Sequence, residues 1–275
     1  MLDNEHRYRV FANRVFAGNP ITLHEVDGLD DSAYLASVAR ESWSEDNVFF
    51  SYFPCGPIQA RFFSSHSELQ LCGHGLLALA YHVFGRDGVG SRLVQSASGT
   101  WMIRGTSQGP VAIMPMEEPL PQVAESHWMR KGLRRFLGCD PAAVHTFPND
   151  VWVVVLNDLA QLRGVEAARV RSLRSDAETP GALIAVVPMR DGAYGFRYFA
   201  PWHGKVEDSG TGVAHRYLAP LFLAEDGKCR AMQFSKEGIA EMHIERRAKE
   251  IWLSGAVHTV ASIPHRRLVS QLSSV

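Results

Sequence analysis

RFFSSHSELQLCGHG, from Arg61 to Gly75, indicates the fold, because much of its pattern recurs in RYFAPWHGKVEDSGTG, from Arg197 to Gly212. Each copy opens with an arginine, an aromatic residue and a phenylalanine, and each closes with Gly-x-Gly. An apolar run follows each copy, LLALAYHVF after the first and VAHRYLAPLFL after the second. Aromatic-rich segments favour strands, and an apolar run after a glycine turn favours a buried helix. The sequence therefore predicts the same strand–turn–helix unit twice, once in each half of the chain.

A glycine-bracketed turn that enters a helix is suited to hold an anion. The first N–H groups of a helix have no intrahelical partner, and the helix dipole adds partial positive charge there. Glycine also lets a ligand approach the backbone closely. Two such helix starts that face each other across a cleft would hold a small carboxylate. The predicted substrate-binding residues are Cys72, Gly73, Gly75, Ser209, Gly210, Thr211 and Gly212.

The composition is that of an ordinary globular protein. The chain has 275 residues, of which 46% are hydrophobic and 21% charged, and its formal net charge is −1. This balance does not favour nucleic acid or an anionic membrane as a partner. No apolar run approaches the ~20 residues of a membrane span, and the N-terminus lacks the apolar core of a signal peptide. The four cysteines form no CxxC pair and no His/Cys cluster has zinc spacing, so we expect a cytoplasmic protein with no metal.

Hydrophobic periodicity predicts an α/β or α+β protein. Helices are expected in DDSAYLASVARESW, GLLALAYHVFG, HWMRKGLRRFLG, LAQLRGVEAARVRSLRSD and GVAHRYLAPLFLA, the last kinked or ended by Pro220. The proline-bearing acidic segment EEPLPQVAES is typical of a crossing between lobes. We predict an N-terminal lobe at 1–117, joined by 258–275, and a C-terminal lobe at 118–257. Cys72 and Ser209 are expected to lie near each other across the cleft between these lobes.

Two cysteines at opposed helix starts would suggest a cofactor-free racemase, in which one thiolate removes an α-proton and the other thiol supplies one. A helix N-terminus lowers a thiol pKa from ~8.5 to between ~3.5 and ~7.5. Here only the first copy carries a cysteine, Cys72, and the second carries Ser209. A serine hydroxyl is too weak an acid for the partner role, so the two-thiol mechanism is not favoured.

Glu45 is the candidate for proton transfer. It follows a predicted helix and precedes an aromatic strand. Desolvation by Trp43, Val48 and Phe49 would allow this carboxyl group to act as base and acid in turn. An exposed loop glutamate is the alternative interpretation.

His74 and Asp208 complete the set of candidate catalytic residues. His74 lies inside the first glycine pair, where its ring could bond a ligand or only cap the helix. Asp208 precedes the second glycine pair, where it could orient a ligand amine or cap the turn that follows. The residues alone leave both pairs of alternatives open. Dinucleotide binding is not favoured, because neither copy is GxGxxG.

Four motifs of the chain resemble the phenazine-biosynthesis PhzF isomerase family. They are VFANRVFAGNP at 10–20, the Ser44-Glu45 pair, ELQLCGHG at 68–75 and RYFAPWHGKVEDSGTGVA at 197–214. The resemblance implies an α+β fold of diaminopimelate-epimerase type, with two pseudo-symmetric lobes, each a strongly curved, mostly antiparallel sheet around a central helix. It also implies that Glu45 shuttles the proton and that Gly73, His74, Asp208 and Gly212 match functional positions of the family.

The chain departs from the family pattern around the expected pocket. Ser64-Ser65 replace Thr-Pro, Ser209 replaces proline, Gly210 replaces alanine and Val213 replaces serine. The proton-transfer residues remain, but the changes do not favour the phenazine precursor as substrate.

The resulting prediction is a cofactor-independent isomerase that moves a double bond by proton transfer. Its substrate would be a small, cyclic, unsaturated, amino-acid-derived carboxylate of secondary metabolism, antibiotic biosynthesis included. The alternatives are an amino-acid racemase that uses Cys72 and a non-catalytic carboxylate-binding protein of the same fold. A homodimer is also expected, with no metal or organic cofactor.

Overall fold

The computed structural model describes residues 2–12, 18–52, 56–121, 127–173, 180–201 and 204–264. These ranges contain seventeen strands joined in one hydrogen-bonded sheet and five α-helices. Part of the VFANRVFAGNP turn, part of the EEPLPQVAES crossing and Cys55 lie outside the described residues. None of the helices in the described ranges combines the length and hydropathy needed to cross a membrane.

The first half wraps eight strands around one apolar helix. Its strands are β1 (Leu2–Val10), β2 (Asn19–Val26), β3 (Asp46–Ser51), β4 (Ile58–Ser64), β5 (Glu68–Leu69), β6 (Gly90–Ser96), β7 (Gly99–Thr106) and β8 (Gly109–Pro115). Helix α1 (Ser32–Glu41) connects β2 to β3, and helix α2 (Gly73–Phe84) lies between β5 and β6. The first eight residues of α2 are buried, as an almost wholly apolar helix requires. Gly85 ends it at φ 65°, with its N–H bonded to the Tyr81 carbonyl.

The second half has the corresponding strands and central helix in the same order, with one additional helix, α3, before its first strand. Its strands are β9 (Ala143–Phe147), β10 (Val151–Val155), β11 (Ala182–Pro188), β12 (Tyr194–Ala200), β13 (Lys205–Asp208), β14 (Lys228–Ser235), β15 (Gly238–Arg247) and β16 (Glu250–Ser254). Helix α3 (His127–Leu137) precedes β9, and α4 (Leu159–Gly164) follows β10. Helix α5 (His215–Phe222) lies between β13 and β14 and ends two residues after Pro220.

The strand pairings of the two halves match one to one. In the first half β2–β3 and β4–β6 are parallel and the other pairs are antiparallel. In the second half β10–β11 and β12–β14 are parallel, and again the other pairs are antiparallel. The two apolar helices α2 and α5 occupy equivalent places in this order. The predicted repeat of a strand–turn–helix unit is therefore confirmed over whole halves of the chain.

Two further pairings join the halves. β8 pairs with β16, and the last strand, β17 (Val257–Pro264), returns to pair with β1. The largest apolar cluster includes side chains of both α2 and α5. The exact lobe boundaries, 1–117 with 258–275 and 118–257, stay a prediction.

The helix predicted over LAQLRGVEAARVRSLRSD is not continuous. α4 ends at Gly164, Val165 is extended, and a short 3₁₀ helix follows at Ala167–Leu173. The Arg197 guanidinium donates hydrogen bonds to the carbonyls of Leu162 and Val165 at this break. A buried side chain from β12 thus takes the carbonyl groups that a continuous helix would use internally.

Candidate active site

The starts of the two central helices meet backbone to backbone. α2 begins at Gly73 after Cys72, and a 3₁₀ turn at Gly212–Ala214 leads into α5. A Cβ atom on Gly73 would lie 2.7 Å from the Val213 nitrogen and 2.8 Å from the Gly212 carbonyl carbon. A Cβ atom on Gly212 would lie 2.6 Å from Leu253 Cδ2. Glycine is required at both positions because any side chain would push the two helix starts apart.

A cavity of about 140 Å³ opens beside this contact and is lined by both halves of the chain. Cys72, Gly73 and His74 contribute the α2 side, and Thr211, Gly212 and Val213 contribute the α5 side. A helix start leaves N–H groups without intrahelical partners and carries the positive end of the helix dipole, and here two such starts line one small volume. The cavity is therefore suited to the carboxylate of a small ligand.

Most of the predicted site residues line this cavity. Those that do are Glu45, Cys72, Gly73, His74, Asp208, Thr211 and Gly212, whereas Gly75, Ser209 and Gly210 lie outside the lining. Gly75 is packed under Val48 and the Cys72 thiol, and Gly210 against Asn19. Ser209 uses its backbone N–H to bond the Asp208 carboxylate at 3.0 Å. The segments that carry Cys72 and Ser209 adjoin at Gly73 and Gly212, and the nearness of Cys72 and Ser209 themselves stays a prediction.

Glu45 lies at the edge of the cavity, and its side chain is 67% exposed. The three side chains that the sequence predicts to desolvate Glu45, those of Trp43, Val48 and Phe49, do not cover it. Val48 and Phe49 are fully buried on opposite faces of β3, since successive side chains of a strand alternate. The Trp43 ring lies under Arg7 and Arg9, with the guanidinium carbons 5.6 Å from its centroid. The expectation that these three side chains desolvate Glu45 was therefore wrong.

Cys72 is a buried, neutral thiol. Its Sγ lies 3.4 Å from His74 Nδ1. Burial and the nearby Asp46 carboxylate raise the pKa of the thiol well above its ordinary value, against the smaller opposing effect of the Gly75 N–H. The lowering expected from a helix N-terminus is thus outweighed, because desolvation penalises the thiolate. A thiol in this state is not a base near neutral pH.

His74 is a buried imidazole between the two halves. Its Nε2 lies 3.4 Å from Asp46 Oδ2. Burial lowers the pKa of His74, although the Asp46 and Asp208 carboxylates oppose that effect. The ring is therefore neutral at pH 7, and it lies at the cavity wall with Nδ1 toward the Cys72 thiol and Nε2 toward Asp46.

Asp208 is held by four hydrogen-bond donors. Its Oδ1 accepts from Asn19 Nδ2 at 3.1 Å, from Lys205 Nζ at 3.0 Å and from the Ser209 N–H at 3.0 Å, and its Oδ2 accepts from the Thr211 hydroxyl. Burial alone would raise its pKa, but Lys205, His74 and the Thr211 hydroxyl lower it to about 2. Asp208 is thus an ionised carboxylate at any pH at which the protein would work.

Lys205 and Asp46 were not among the residues predicted from the sequence. Lys205 Nζ lies 2.7 Å from Asp46 Oδ2, and both residues line the cavity. Burial opposes the charge on Lys205, yet Asp208 and Asp46 outweigh it and hold the pKa of the ammonium group well above its ordinary value. In the sequence Asp46 follows Glu45, and Lys205 lies three residues before Asp208. This nearness is the one signal that could have identified them as site residues. In the described ranges we find no group of three or more His, Cys, Asp or Glu residues arranged to hold a metal ion.

Paired lobes, a helix start from each and one small cavity lined by both define a two-lobed protein of the diaminopimelate-epimerase type. Consistent with this, the fold matches a probable proline racemase from Agrobacterium radiobacter with a TM-score of 0.64 at 8% identity, over 96% of this chain and 93% of the other. The predicted fold class is thereby confirmed.

The chain belongs to the PhzC-PhzF family of phenazine biosynthesis-like proteins, which it matches over residues 8–249. It is 29% identical over 226 residues to an uncharacterized isomerase of Pseudomonas aeruginosa, covering 80% of this chain and 82% of that protein. Among solved structures it is similar to a PhzF-family protein of Enterococcus faecalis, with a TM-score of 0.78 and 19% identity over 97% of this chain and 100% of the other. The family resemblance read from the four motifs is therefore confirmed.

Proposed function

We propose that this protein is an isomerase that relocates a proton, and with it a double bond, within a small carboxylate. The observation that carries the proposal is the meeting of both helix starts at one cavity whose edge holds the Glu45 carboxyl group. Membership of a family whose relatives include named isomerases supports the same reaction class. The reaction is redox-neutral, so its atoms balance without a co-substrate.

The substrate carboxylate would lie against the N–H groups at the starts of α2 and α5. Glu45 would then remove a proton from a carbon next to the double bond, so that a C–H bond breaks and an O–H bond forms. The electron pair moves into an extended anion, which the helix starts stabilise. The Glu45 carboxylic acid returns the proton to a second carbon, and the double bond shifts.

His74 and Lys205 would support this step from the cavity wall. The neutral His74 ring has one donor and one acceptor nitrogen, and a bound substrate would replace its contact with the Cys72 thiol. The Lys205 ammonium lies 3.5 Å from Glu45 Oε2. Bound substrate would displace water from the cavity and would thereby desolvate Glu45. Val48 and Phe49 do not provide this desolvation.

Two features support a substrate other than the phenazine precursor. Val213 places an apolar side chain in the lining at the position of the family serine. Ser64 and Ser65 also line the cavity where many members carry Thr-Pro. Our first candidates for the substrate remain cyclic, unsaturated, amino-acid-derived carboxylates. Three other expectations remain predictions: a place in secondary metabolism, activity without a cofactor and a homodimeric state.

Deuterium wash-in tests the proposal. The protein is incubated in heavy water with a panel of unsaturated cyclic carboxylates, and each compound is examined by mass spectrometry for gain of one deuteron and for a shifted double bond. We expect exchange with at least one compound and none when Glu45→Gln replaces the wild type. Binding without exchange would overturn the isomerase proposal in favour of a carboxylate-binding protein.

The alternative racemase that uses Cys72 is not favoured. Its thiol is held neutral by burial and by Asp46. The second helix start also carries Ser209 in place of a second cysteine, and Ser209 lies outside the cavity lining.

A further inference from the structure

The Lys205 ammonium group lies between three carboxylates at the cavity. Its Nζ is 2.7 Å from Asp46 Oδ2, 3.0 Å from Asp208 Oδ1 and 3.5 Å from Glu45 Oε2. Asp46 comes from the first half of the chain and Asp208 from the second, and both are buried. The ammonium group of Lys205 therefore joins the two halves directly beside the helix starts.

An ammonium group between two carboxylates, beside a pair of helix N-termini, is the arrangement expected for a bound amino acid. The helix starts would hold the carboxylate of such a ligand, and the two aspartates would hold its amine. In this protein a side chain of the chain itself occupies the amine position. We infer that Lys205 acts as a built-in substitute for a substrate ammonium group, and that it selects carboxylates with no amine. This inference rests on the proposed function for the position of the substrate carboxylate.

The remaining bonding capacity of the site agrees with this inference. Asp208 already accepts four hydrogen bonds, which is about the number that a carboxylate can accept. Asp46 Oδ2 is shared between Lys205 and His74 Nε2. A ligand ammonium placed here would have to displace Lys205 or lie beside its positive charge. Asp208 is thus a holder of Lys205 and not, as the sequence allowed, a group that orients a ligand amine.

Removal of the Lys205 charge should abolish the selectivity for the amine-free ligand. Lys205→Met would leave Asp46 and Asp208 facing each other without their shared cation. A ligand amine could then take the vacated position, whereas an amine-free carboxylate would meet more negative charge than before. The double variant Asp46→Asn/Lys205→Met restores the local charge balance. This double variant should fold even if Lys205→Met does not. It should also lack the tighter binding of an amine-bearing ligand that is expected for Lys205→Met.

Ligand-observed NMR with two matched probes tests this inference. The probes are cyclohex-3-ene-1-carboxylate and 6-aminocyclohex-3-ene-1-carboxylate, which differ only by the amine. For the wild type we expect at least tenfold tighter binding of the amine-free probe, and for Lys205→Met a fall of that ratio by at least tenfold. Wild-type binding of the amino probe that is equal or tighter, or an unchanged ratio in Lys205→Met, would overturn the inference.

Two further measurements keep the test decisive. If neither probe binds, methylammonium chloride is added at matched ionic strength; it should raise the Tm of Lys205→Met but not of the wild type, and the absence of this difference refutes the inference. Lys228→Met is the matched control, because Lys228 pairs with Glu245 at 3.3 Å outside the cavity lining. Since binding is measured without turnover, a ratio that falls in Lys205→Met together with no deuterium exchange would refute the proposed isomerase and leave the selectivity inference intact.

Discussion

Gly73 and Gly212 lie in direct backbone contact although they come from opposite halves of the chain. A Cβ on Gly212 would be 3.0 Å from the Gly73 carbonyl carbon, and one on Gly73 would be 2.8 Å from the Gly212 carbonyl carbon. The two helix starts can share one cavity only because neither residue carries a side chain. The repeated Gly-x-Gly motif is thus explained by close approach, since neither glycine has a positive φ.

Gly73→Ala should therefore destabilise the protein and widen the cleft. The added methyl group meets backbone atoms that cannot rotate away, and overpacking of this kind costs about 1–3 kcal/mol. Urea unfolding measures the change in free energy, and deuterium exchange on substrate measures the loss of activity. Gly28→Ala is the control, because nothing lies within 4 Å of a Cβ at Gly28. A Gly73→Ala protein with wild-type stability and exchange would refute the required contact.

Asp208 should account for part of the acid sensitivity of the fold. Its pKa in the folded protein is about 2, below the ordinary value of 3.8. A carboxyl group whose pKa is lower in the folded than in the unfolded protein stabilises the fold at pH values above its unfolded pKa. This stabilisation is lost as the pH falls through its folded pKa. Between pH 4 and pH 2 the wild type should therefore lose roughly 2 kcal/mol through this group.

Urea unfolding at several pH values tests this expectation. Asp208→Asn should be less stable at pH 6 and should show a shallower decline between pH 4 and pH 2. Asp140→Asn, at a side chain that is 61% exposed, should follow the wild-type curve. Parallel curves for Asp208→Asn and the wild type over that interval would contradict the assignment.

The sequence could predict the helix starts because their signals are local. A glycine pair before an apolar run marks a buried helix, and its second occurrence marks the repeat. The exposure of Glu45 was the alternative interpretation of its sequence position, and the Lys205–Asp46 pair was not predictable in this way. This pair depends on where strands from different halves are placed, and Asp46 and Lys205 are 159 residues apart. The break after α4 has the same origin, since Arg197 of a distant strand takes the carbonyls of Leu162 and Val165.

Cys72→Ala should retain most of the activity. The buried thiol is neutral, so it takes no proton from the substrate, and only a small part of the cavity wall is lost. We expect kcat/KM to fall by much less than the ~10² that marks the loss of an acid–base group. Cys139→Ala, at a partly exposed cysteine outside the cavity lining, serves as the control. Complete loss of exchange in a folded Cys72→Ala protein would instead support the racemase mechanism.

Glu45→Gln should abolish turnover and leave binding nearly unchanged. The amide has the shape of the carboxyl group but cannot accept a proton from carbon, and loss of a positioned acid–base group slows a reaction by about 10²–10⁴. The ligand carboxylate would still be held by the helix starts at Gly73 and Gly212, so its Kd should change little. Deuterium exchange and calorimetry on the same preparation separate these two effects. Glu41→Gln, at an exposed residue that ends α1, should behave as the wild type. If Glu45→Gln bound the substrate normally and exchanged its proton at the wild-type rate, the shuttle would have to be another group, and Glu45 would be a residue of the cavity edge with no part in the chemistry.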